Sequence, residues 1–545
     1  MLHPQRILVS FLLVATIATV SVFATGEQAR EINLSFTLSS LEFGDERFEK
    51  INVGCDVIVL ESDNIMCPDA TISFQSNKFG RLKLTTDVAW RPSDNTYRLK
   101  SSAFSFAGGR TRFGLRQAVH GTDFEVRFER TDATMLWQMW RDYLPPSLAD
   151  YSVDSGIVSG DIQCAPQLDC EIEISLEDFN FSGVNAAEDA ALKIVASAKQ
   201  GTPSTSPMVT RLTGQIELLA GAVYVEPGFT IGETTPGFLI SNTDLPIRFN
   251  AELDLPSEQS ALKIHQLAVS HPGVVELDYA GNLQFGDVIT WDGFRMMIES
   301  PSIEKFYETY VQPVIFGTTV DSLELSGGIS THLAGRDNQI TDLAIELNNT
   351  YFDDAYERFA LYRLDGDFVL SSASETVYSN VTWEGASIYG IAFGDGKIDW
   401  GSKNRNVWIS GWDAVSVFDG EMDIHELSVT DFGTRDAKIS LSGSLSPVSM
   451  PEVMASFGLP PMAGKVSAKL PELSFQRNKL VLDGDIEVSL FKGVIEITDF
   501  EISELFSRVP RLYANVVAQG LDLETLTSTF SFGNISGTLD GHVKG

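Results

Sequence analysis

The sequence predicts a mostly β protein, in which stacked strands form an elongated, curved β-sheet groove with a few short helices. Three observations predict this fold: apolar and polar residues alternate with period two, helical patterns are few, and one short phrase recurs. The phrase is a brief helical stretch followed by a strand that opens on an apolar residue, a small residue and glycine. It occurs at residues 157–162, 325–329, 462–466 and 535–539. Units that recur and are too small to bury their own apolar face are expected to stack side by side.

The alternation predicts strands with one apolar and one solvated face. Phe124, Val126 and Phe128 alternate with charged residues, and residues 439–445 alternate apolar or glycine positions with serine. In residues 480–490 the apolar face is predicted to comprise Leu480, Leu482, Gly484, Ile486, Val488 and Leu490. Asp-Gly pairs at residues 365–366, 483–484 and 540–541 mark either turns or bulges that curve the sheet.

Four short helices are predicted, each shortly before one of the glycine-marked strands. They cover residues 131–143, 302–311, 449–457 and 522–530, with Ser302 as an N-cap and Pro145 and Pro313 as stops. Helices in these positions either plug the corners of the sheet or gate an opening.

The charge of the chain excludes one class of partner. Its 545 residues include 39 basic and 74 acidic side chains, which gives a formal net charge of -35. This charge repels nucleic acid phosphates. We therefore expect no nucleic acid partner.

The N-terminus predicts export. His3 and Arg6 precede an uncharged stretch at residues 7–24, long enough to span a bilayer, which needs about 20 residues. We expect residues 1–29 to be a signal anchor, with cleavage after Ala24 as the alternative. The body would then be residues 30–205, a β part with the cysteines, and residues 206–545, the repeat-bearing groove, joined at a Pro/Ser/Thr-rich loop.

The four cysteines predict two local disulfides. Cys55 and Cys67 bracket one short segment, and Cys164 and Cys170 bracket another, so sequence separation favours these two pairs in an oxidising compartment. A four-thiolate zinc site is the alternative, but neither spacing is typical of one.

No pattern indicates catalysis. The seven histidines are scattered, with His265 and His271 as the nearest pair, and phosphate-loop, dinucleotide and nucleophile-elbow motifs are absent. Carboxylates such as Glu171 and Glu173 are typical of a solvated strand face. Residues 394–399 only weakly indicate a calcium-binding turn. We expect no enzyme, cofactor or metal.

A tryptophan cluster leaves three interpretations open. Trp383, Trp400, Trp408 and Trp412 form either part of the core, a sugar-stacking platform or an interfacial belt. Core packing is favoured, because large aromatic side chains most often serve there.

Three longer segments carry a family resemblance. They are residues 221–227 (GAVYVEP), residues 306–313 (FYETYVQP) leading into residues 325–327, and residues 510–541, which run from PRL through LDLETL to FSFGNISGTLDG. From about Gly214 onward the chain resembles the YdbH branch of the AsmA/TamB-like envelope proteins. The resemblance implies a β-groove anchored in the inner membrane, crossing the periplasm and moving phospholipid toward the outer membrane. It also implies continuation beyond Gly545 or a small outer-membrane partner protein at that end.

An apolar face must be covered by protein or by another apolar material. We expect bound phospholipid acyl chains to cover it, with the predicted lining residues Phe124, Val126, Phe128, Leu480, Leu482, Ile486, Val488 and Leu490. Two alternatives stay open: an assembly factor that guides outer-membrane β-proteins by strand addition, and a self-filled β-solenoid that acts as an adhesin or sugar-binding protein.

Overall fold

The computed structural model describes residues 33–545, except for 44–45, 62, 79, 119–120, 142–149, 167–168, 201–208, 227–234, 243–244, 257–260, 285–289, 318–320, 433, 435, 457, 459–460, 462–463, 505–510 and 530–532. Across these described residues the chain forms 35 strands and a few short helical segments. The predicted mostly β fold is therefore confirmed. The predicted signal segment at residues 1–29 and the predicted loop at residues 201–207 lie outside the described residues.

The chain divides into two compact units. Unit 1 comprises the residues up to Tyr224 with Ser241–Pro246, and unit 2 comprises Val225–Ile240 and Ile247–Gly545. The sequence-based boundary between residues 205 and 206 stays a prediction.

Unit 1 is built from strands that are mostly 10 to 17 residues long. They are β1 (Leu34–Phe43), β2 (Glu46–Cys55), β3 (Val59–Glu61), β4 (Asn64–Ser76), β5 (Gly80–Arg91), β6 (Thr96–Ser101), β7 (Phe104–Phe106), β8 (Gly109–Ala118), β9 (Gly121–Asp132), β10 (Ser152–Ala165), β11 (Asp169–Ser182), β12 (Ala186–Gln200) and β13 (Val209–Val225), which ends at the division between the units.

The division between the units also falls within β14 (Phe238–Asn242). Unit 2 then contains β15 (Ile247–Pro256), β16 (Ala261–His271), β17 (Val275–Gln284), β18 (Thr290–Ser300), β19 (Leu323–Arg336), β20 (Gln339–Asp354), β21 (Phe359–Ser371), β22 (Val377–Trp383), β23 (Gly385–Ile388), β24 (Ile391–Phe393), β25 (Gly396–Lys403), β26 (Asn406–Trp412), β27 (Val415–Val417), β28 (Gly420–Thr430), β29 (Lys438–Ser449), β30 (Lys465–Gln476), β31 (Lys479–Asp483), β32 (Ile486–Leu490), β33 (Gly493–Ser503), β34 (Arg511–Asp522) and β35 (Thr538–Lys544).

Within each unit the strands pair antiparallel, mostly with their neighbours along the chain. In unit 1 the ladder runs through β8, β9, β10, β11, β12 and β13 in sequence order. In unit 2 it runs in the same way from β15 to β21 and from β28 to β30. Short strands such as β7 and β23 pair with one end of a longer neighbour, β8 and β21 respectively.

Bulges interrupt the ladders at residues with left-handed backbone. Asp178 in β11 (φ 49°) and Asp189 in β12 (φ 47°) lie at register shifts of neighbouring strands, and Asn349 in β20 (φ 47°) occupies an equivalent place in unit 2. A bulge adds one residue to one strand, which bends that strand and increases its twist. The Asp-Gly pair at residues 365–366 lies inside β21 and the pair at 540–541 inside β35, so neither forms a hairpin turn.

All four predicted helices are present, and each precedes a glycine-marked strand. The first is α1 (Ala133–Trp140), before β10. The second is a composite segment before β19, formed by α2 (Ile303–Phe306), a π-helical turn (Tyr307–Val311) and α3 (Gln312–Ile315). The third is α4 (Met450–Ser456), before β30, and the fourth is α5 (Leu523–Thr529), before β35. Asp132 caps α1 by accepting a hydrogen bond from Met135 N at 2.9 Å. Asp522 accepts from Thr525 N at 2.8 Å at the start of α5.

Pro313 does not stop the second helical segment, which corrects the prediction. The preceding turn is a π-helix, in which Gln312 N–H donates to Tyr307 O, and Pro313 lies in the first turn of α3. A proline is tolerated there, because the first N–H groups of a helix have no helical acceptor.

Both predicted disulfides are present. Cys55 bonds to Cys67 and Cys164 bonds to Cys170, and the described residues include no free cysteine. Cys164 and Cys170 lie directly opposite each other across the β10/β11 hairpin.

Candidate functional site

One face of the sheet in unit 1 is apolar across successive strands. Residues paired directly across an antiparallel ladder point to the same face, so the register defines rows of side chains that cross the strands. One such row crosses nine strands and includes the predicted lining residue Phe124. Its members are Cys67, Val88, Leu99, Leu115, Phe124, Cys164, Cys170, Ala198 and Leu212.

The other two predicted lining residues of unit 1 lie in neighbouring rows on the same face. Val126 pairs with Phe113 and Ile162, and Phe128 pairs with Thr111 and Gly160. The row of Phe128 continues through Ile174, Ile194 and Ile216.

The predicted alternation in β9 agrees with its exposure pattern. Phe124, Val126 and Phe128 are half-buried, whereas Glu125 and Arg127 between them are exposed. The register therefore brings the three apolar residues together on the face opposite the charges.

The ring of Phe128 lies over Gly160 on the adjacent strand. A Cβ atom at Gly160 would lie only 2.7 Å from Phe128 Cζ. The glycine of the first recurring phrase therefore provides room for an aromatic ring on the apolar face.

Unit 2 carries equivalent rows that contain the remaining predicted residues. Leu480 belongs to a row that crosses seven strands through Val407, Val429, Ile439, Phe475, Leu480, Ile502 and Leu512. Val488 lies in a second row, between Ala468 and Ile495, and Ile486 in a third, beside Ile497. Leu482 pairs with Leu473, and Leu490 pairs with Gly493.

Residues 480–490 do not form one continuous strand as the alternation suggested. The chain breaks between β31 and β32, and Gly484 there has φ +122°. Two residues, Gly484 and Asp485, separate the strands. Because this number is even, the apolar residues of β31 and β32 still point to the same face.

These rows are only partly shielded from water. Most members are half-buried; Ile216 is 43% exposed and Ile439 39% exposed, whereas Leu99, Val407 and Leu482 are buried. In unit 2 a cleft of about 250 Å³ lies beside Met296, Leu333, Leu343 and Leu370, which form one further apolar row. Part of the exposed apolar surface, at Ile216 and Ile439, thus belongs to rows that continue across neighbouring strands.

Three of the four tryptophans of the predicted cluster pack into a core in unit 2. Trp383, Trp400 and Trp412 contact the buried cluster of Leu347, Leu364, Val381 and Ile398. Trp383 Nε1 donates to Gly394 O at 3.0 Å.

Trp408 lies on the opposite face of the sheet, because it pairs with Gly401 and not with Trp400. This arrangement matches the core-packing interpretation and separates the indoles that a stacking platform would need together.

The helical segment before β19 packs against the beginning of that strand in unit 2. Ile303 and Tyr307 are buried against Leu325. His271 Nδ1 lies 2.9 Å from the hydroxyl of Tyr310, and their rings meet edge to face. This packing agrees with the plug interpretation of the helix.

Burial perturbs both partners of this contact. It raises the pKa of Tyr310 to about 12. Burial, and secondarily the charge of Lys305, lowers the pKa of His271. Both groups are therefore neutral at pH 7.

The two neighbouring histidines of β16 do not form a site. His265 Nε2 lies 2.7 Å from Asp254 Oδ2, while His271 contacts Tyr310. Among the described residues, no group of three or more His, Cys, Asp and Glu side chains is placed to hold a metal ion.

Comparisons with protein-family models, curated proteins and solved structures find no match. In the described parts of the chain, no helix is both long and apolar enough to cross a membrane.

Sequence reasoning missed two features of these faces. One is the set of bulges at Asp178, Asp189 and Asn349, since the sequence indicated bulges only at the Asp-Gly pairs. The other is a group of basic residues on the polar face of β5 to β9, whose signal was a local reversal of the overall acidic balance.

Proposed function

We propose that this protein carries phospholipid between the inner and outer membranes along an apolar groove formed by its antiparallel sheet. The observation that carries the proposal is the set of half-buried apolar rows, one of which crosses nine strands of unit 1. Acyl chains lying along these rows would remove apolar surface from water, which is worth about 25 cal/mol per Å². Head groups would stay in water, and transport would be passive sliding without a chemical step.

Two further observations support this proposal. The bulges in neighbouring strands favour a curved sheet, which a groove requires. The two disulfides favour an oxidising compartment such as the periplasm. We propose that residues 1–29 anchor the protein in the inner membrane, and that a small outer-membrane protein acts at the C-terminal end.

The test is the phospholipid content of the full-length protein after gentle extraction, measured by mass spectrometry per mole of protein. We expect bound phospholipid in the wild-type protein and a clear loss in Ile174→Asp, which places a charge on the apolar face. The matched control is Ser175→Asp, which places the same charge on the opposite face of β11. Equal lipid content in all three proteins would exclude the groove.

A further inference from the structure

One apolar row of unit 2 contains a single hydroxyl. The row crosses seven strands, from β15 to β21, and its members share one face because they pair directly across each ladder. All of these side chains are half-buried. They are Ala251, Leu267, Tyr279, Met296, Leu333, Leu343 and Leu370. Tyr279 therefore places the one hydroxyl of this row among apolar side chains.

Aromatic packing orients the ring of Tyr279. This ring stacks on that of Phe294, with 6.0 Å between the ring centroids and 20° between the planes. The ring of Trp291 meets Phe294 edge to face, with 5.7 Å between the centroids. Phe294 lies two residues before Met296 on β18 and therefore belongs to the same face. The stack thus holds the Tyr279 ring on the apolar face.

The hydroxyl of Tyr279 lies over a glycine and lacks a hydrogen-bond partner. A Cβ atom at Gly281 would lie 2.7 Å from the hydroxyl oxygen, so a larger residue there would crowd it. Within the described parts of the chain, this hydroxyl forms no hydrogen bond. Burial raises the pKa of Tyr279, so the group is protonated at pH 7 and able to donate. A hydroxyl among apolar groups costs free energy unless it meets an acceptor.

The aromatic cluster of Tyr279, Trp291 and Phe294 lies near polar strand ends. Trp291 is at the beginning of β18, where its carbonyl oxygen accepts from Asn338 N at 3.2 Å. Asn338 belongs to the turn between β19 and β20, and both Asn338 and Asp337 are exposed. Tyrosine and tryptophan are typical of boundaries between apolar and aqueous surroundings, since each combines an apolar ring with a polar group. The cluster therefore marks the boundary between the apolar face and water.

The row beyond Tyr279 is long enough for one acyl chain. From Tyr279 to Leu370 it crosses four gaps between strands, which at about 4.8 Å each gives about 19 Å. One leaflet of a bilayer contributes about 15 Å of hydrocarbon, half of the whole core. An acyl chain that starts at Tyr279 would therefore fit along the row without meeting a charged side chain or a second hydroxyl.

We propose that the Tyr279 hydroxyl donates a hydrogen bond to an ester carbonyl of a glycerolipid whose acyl chain lies along this row. The ester is the point at which the apolar chain and the polar head group of such a lipid meet, which matches the position of Tyr279 between the apolar row and the exposed strand ends. The inference rests on the proposed groove and adds a specificity-determining residue to it. Ester-linked lipid is favoured over ether-linked lipid, because an ether has no carbonyl acceptor.

The test compares dihexanoyl phosphatidylcholine with its dihexyl ether analogue, both below their critical micelle concentrations, in binding to the full-length protein. We expect about fivefold tighter binding of the ester, which corresponds to one hydrogen bond. This preference should disappear in Tyr279→Phe, which keeps the ring that stacks on Phe294. The control Tyr378→Phe removes a hydroxyl from a residue that is 69% exposed and shares the opposite face with Trp408, and it should keep the preference.

Three outcomes would overturn the inference. They are equal binding of both lipids by the wild-type protein, an unchanged ester preference in Tyr279→Phe, and loss of the preference in Tyr378→Phe as well. Failure of the groove would look different, because neither lipid would then bind to the wild-type protein, and both proposals would be wrong.

Discussion

The carboxylate of Asp365 accepts a hydrogen bond from the backbone N–H of Asn349, with 2.7 Å between Oδ1 and N. Asn349 lies at the bulge of β20, and Asp365 belongs to the neighbouring strand β21. Asp540 of β35 has the same relationship to Gly520 of β34, also at 2.7 Å. These carboxylates satisfy N–H groups at residues with left-handed backbone, where the regular ladder is interrupted.

Replacing Asp365 should therefore loosen the bulge. We expect Asp365→Ala to lower the local free energy of opening by about 1 kcal/mol, because one N–H loses its acceptor at an exposed position. The measurement is amide hydrogen exchange of β20 near Asn349. Asp367→Ala is the control, since Asp367 faces Glu346 on the same strand pair and its loss removes a like-charge contact. Faster exchange in the control than in Asp365→Ala would refute this account.

Gly366, the next residue, should be intolerant of a side chain. Its φ is +125°, and a Cβ atom there would lie 2.2 Å from Asn380 O. We expect Gly366→Ala to destabilise unit 2 by at least about 2 kcal/mol, from backbone strain and the shift of β22 together. Gly273→Ala is the matched comparison, because Gly273 also has positive φ (+74°) but no atom within 4 Å of the added Cβ.

The two glycine variants would be compared in urea unfolding. The alanine at Gly273 should cost about 1 kcal/mol, from conformation alone. Similar midpoints for the two variants would mean that close approach of β22 does not constrain residue 366.

A buried ion pair closes the turn between β20 and β21. The side chain of Asp354 is fully buried, and Arg358 Nε donates to its Oδ2 at 2.7 Å. Hydrogen bonding to Arg358 holds the pKa of Asp354 below its usual 3.8. Stability from this pair is thus present above pH 3.8 and is lost as the pH falls through the lower pKa of the folded state.

Asp354→Asn should therefore destabilise the turn most strongly near neutral pH. We expect a loss of about 3 kcal/mol at pH 7, because Arg358 would remain partly buried without its counter-charge. The difference from the wild-type protein should shrink as the pH approaches 3, which thermal unfolding at several pH values would measure. A difference that stays constant with pH would contradict the assignment.

The contact between His271 and Tyr310 predicts a second pH dependence. Since burial lowers the pKa of His271, the unfolded chain binds a proton near pH 6.5 while the folded chain does not. Stability of the plug is therefore full above about pH 6.5 and falls as the pH drops below it. Hydrogen exchange of residues 303–315 should accelerate between pH 7 and pH 5, after correction for intrinsic exchange.

His271→Gln should remove this pH dependence, whereas the same change at the exposed His332 should keep it. Tyr310→Phe should loosen the segment by about 1 kcal/mol at pH 7 by deleting the hydrogen bond. An unchanged pH profile in His271→Gln would assign the effect to another group.

The sequence predicted the features that depend on neighbours along the chain. Alternation placed Phe124, Val126 and Phe128 on one face, and short separation paired Cys164 with Cys170. It did not predict features that depend on the adjacent strand. At Asp365 and Gly366 the sequence left a turn and a bulge open, and the contacts with Asn349 and Asn380 on neighbouring strands decide between them. Pro313 resembles a stop because the π-helical turn that accommodates it depends on the packing of Tyr307 and Tyr310.

The sequence showed which strand positions are apolar, but not that these positions join into rows that cross several strands. Leu480 and Val488 are apolar in the sequence, yet their partners Phe475 and Ala468 come from a strand with its own bulge. Register across several strands determines whether isolated apolar positions join into one surface, and sequence alone does not fix that register.

Val488→Asp tests whether this surface carries lipid in unit 2. Val488 lies between Ala468 and Ile495 in its row, so a carboxylate there would meet apolar neighbours on both sides. We expect lipid transfer between donor and acceptor vesicles to fall at least tenfold while the far-ultraviolet circular dichroism spectrum is unchanged. The spectrum should be unchanged because Val488 is half-buried and the charge can reach water.

Ser489→Asp adds the same charge one residue further, on the opposite face of β32, and should transfer lipid normally. Equal transfer by both variants would show that the face containing Val488 is not the path of the acyl chains.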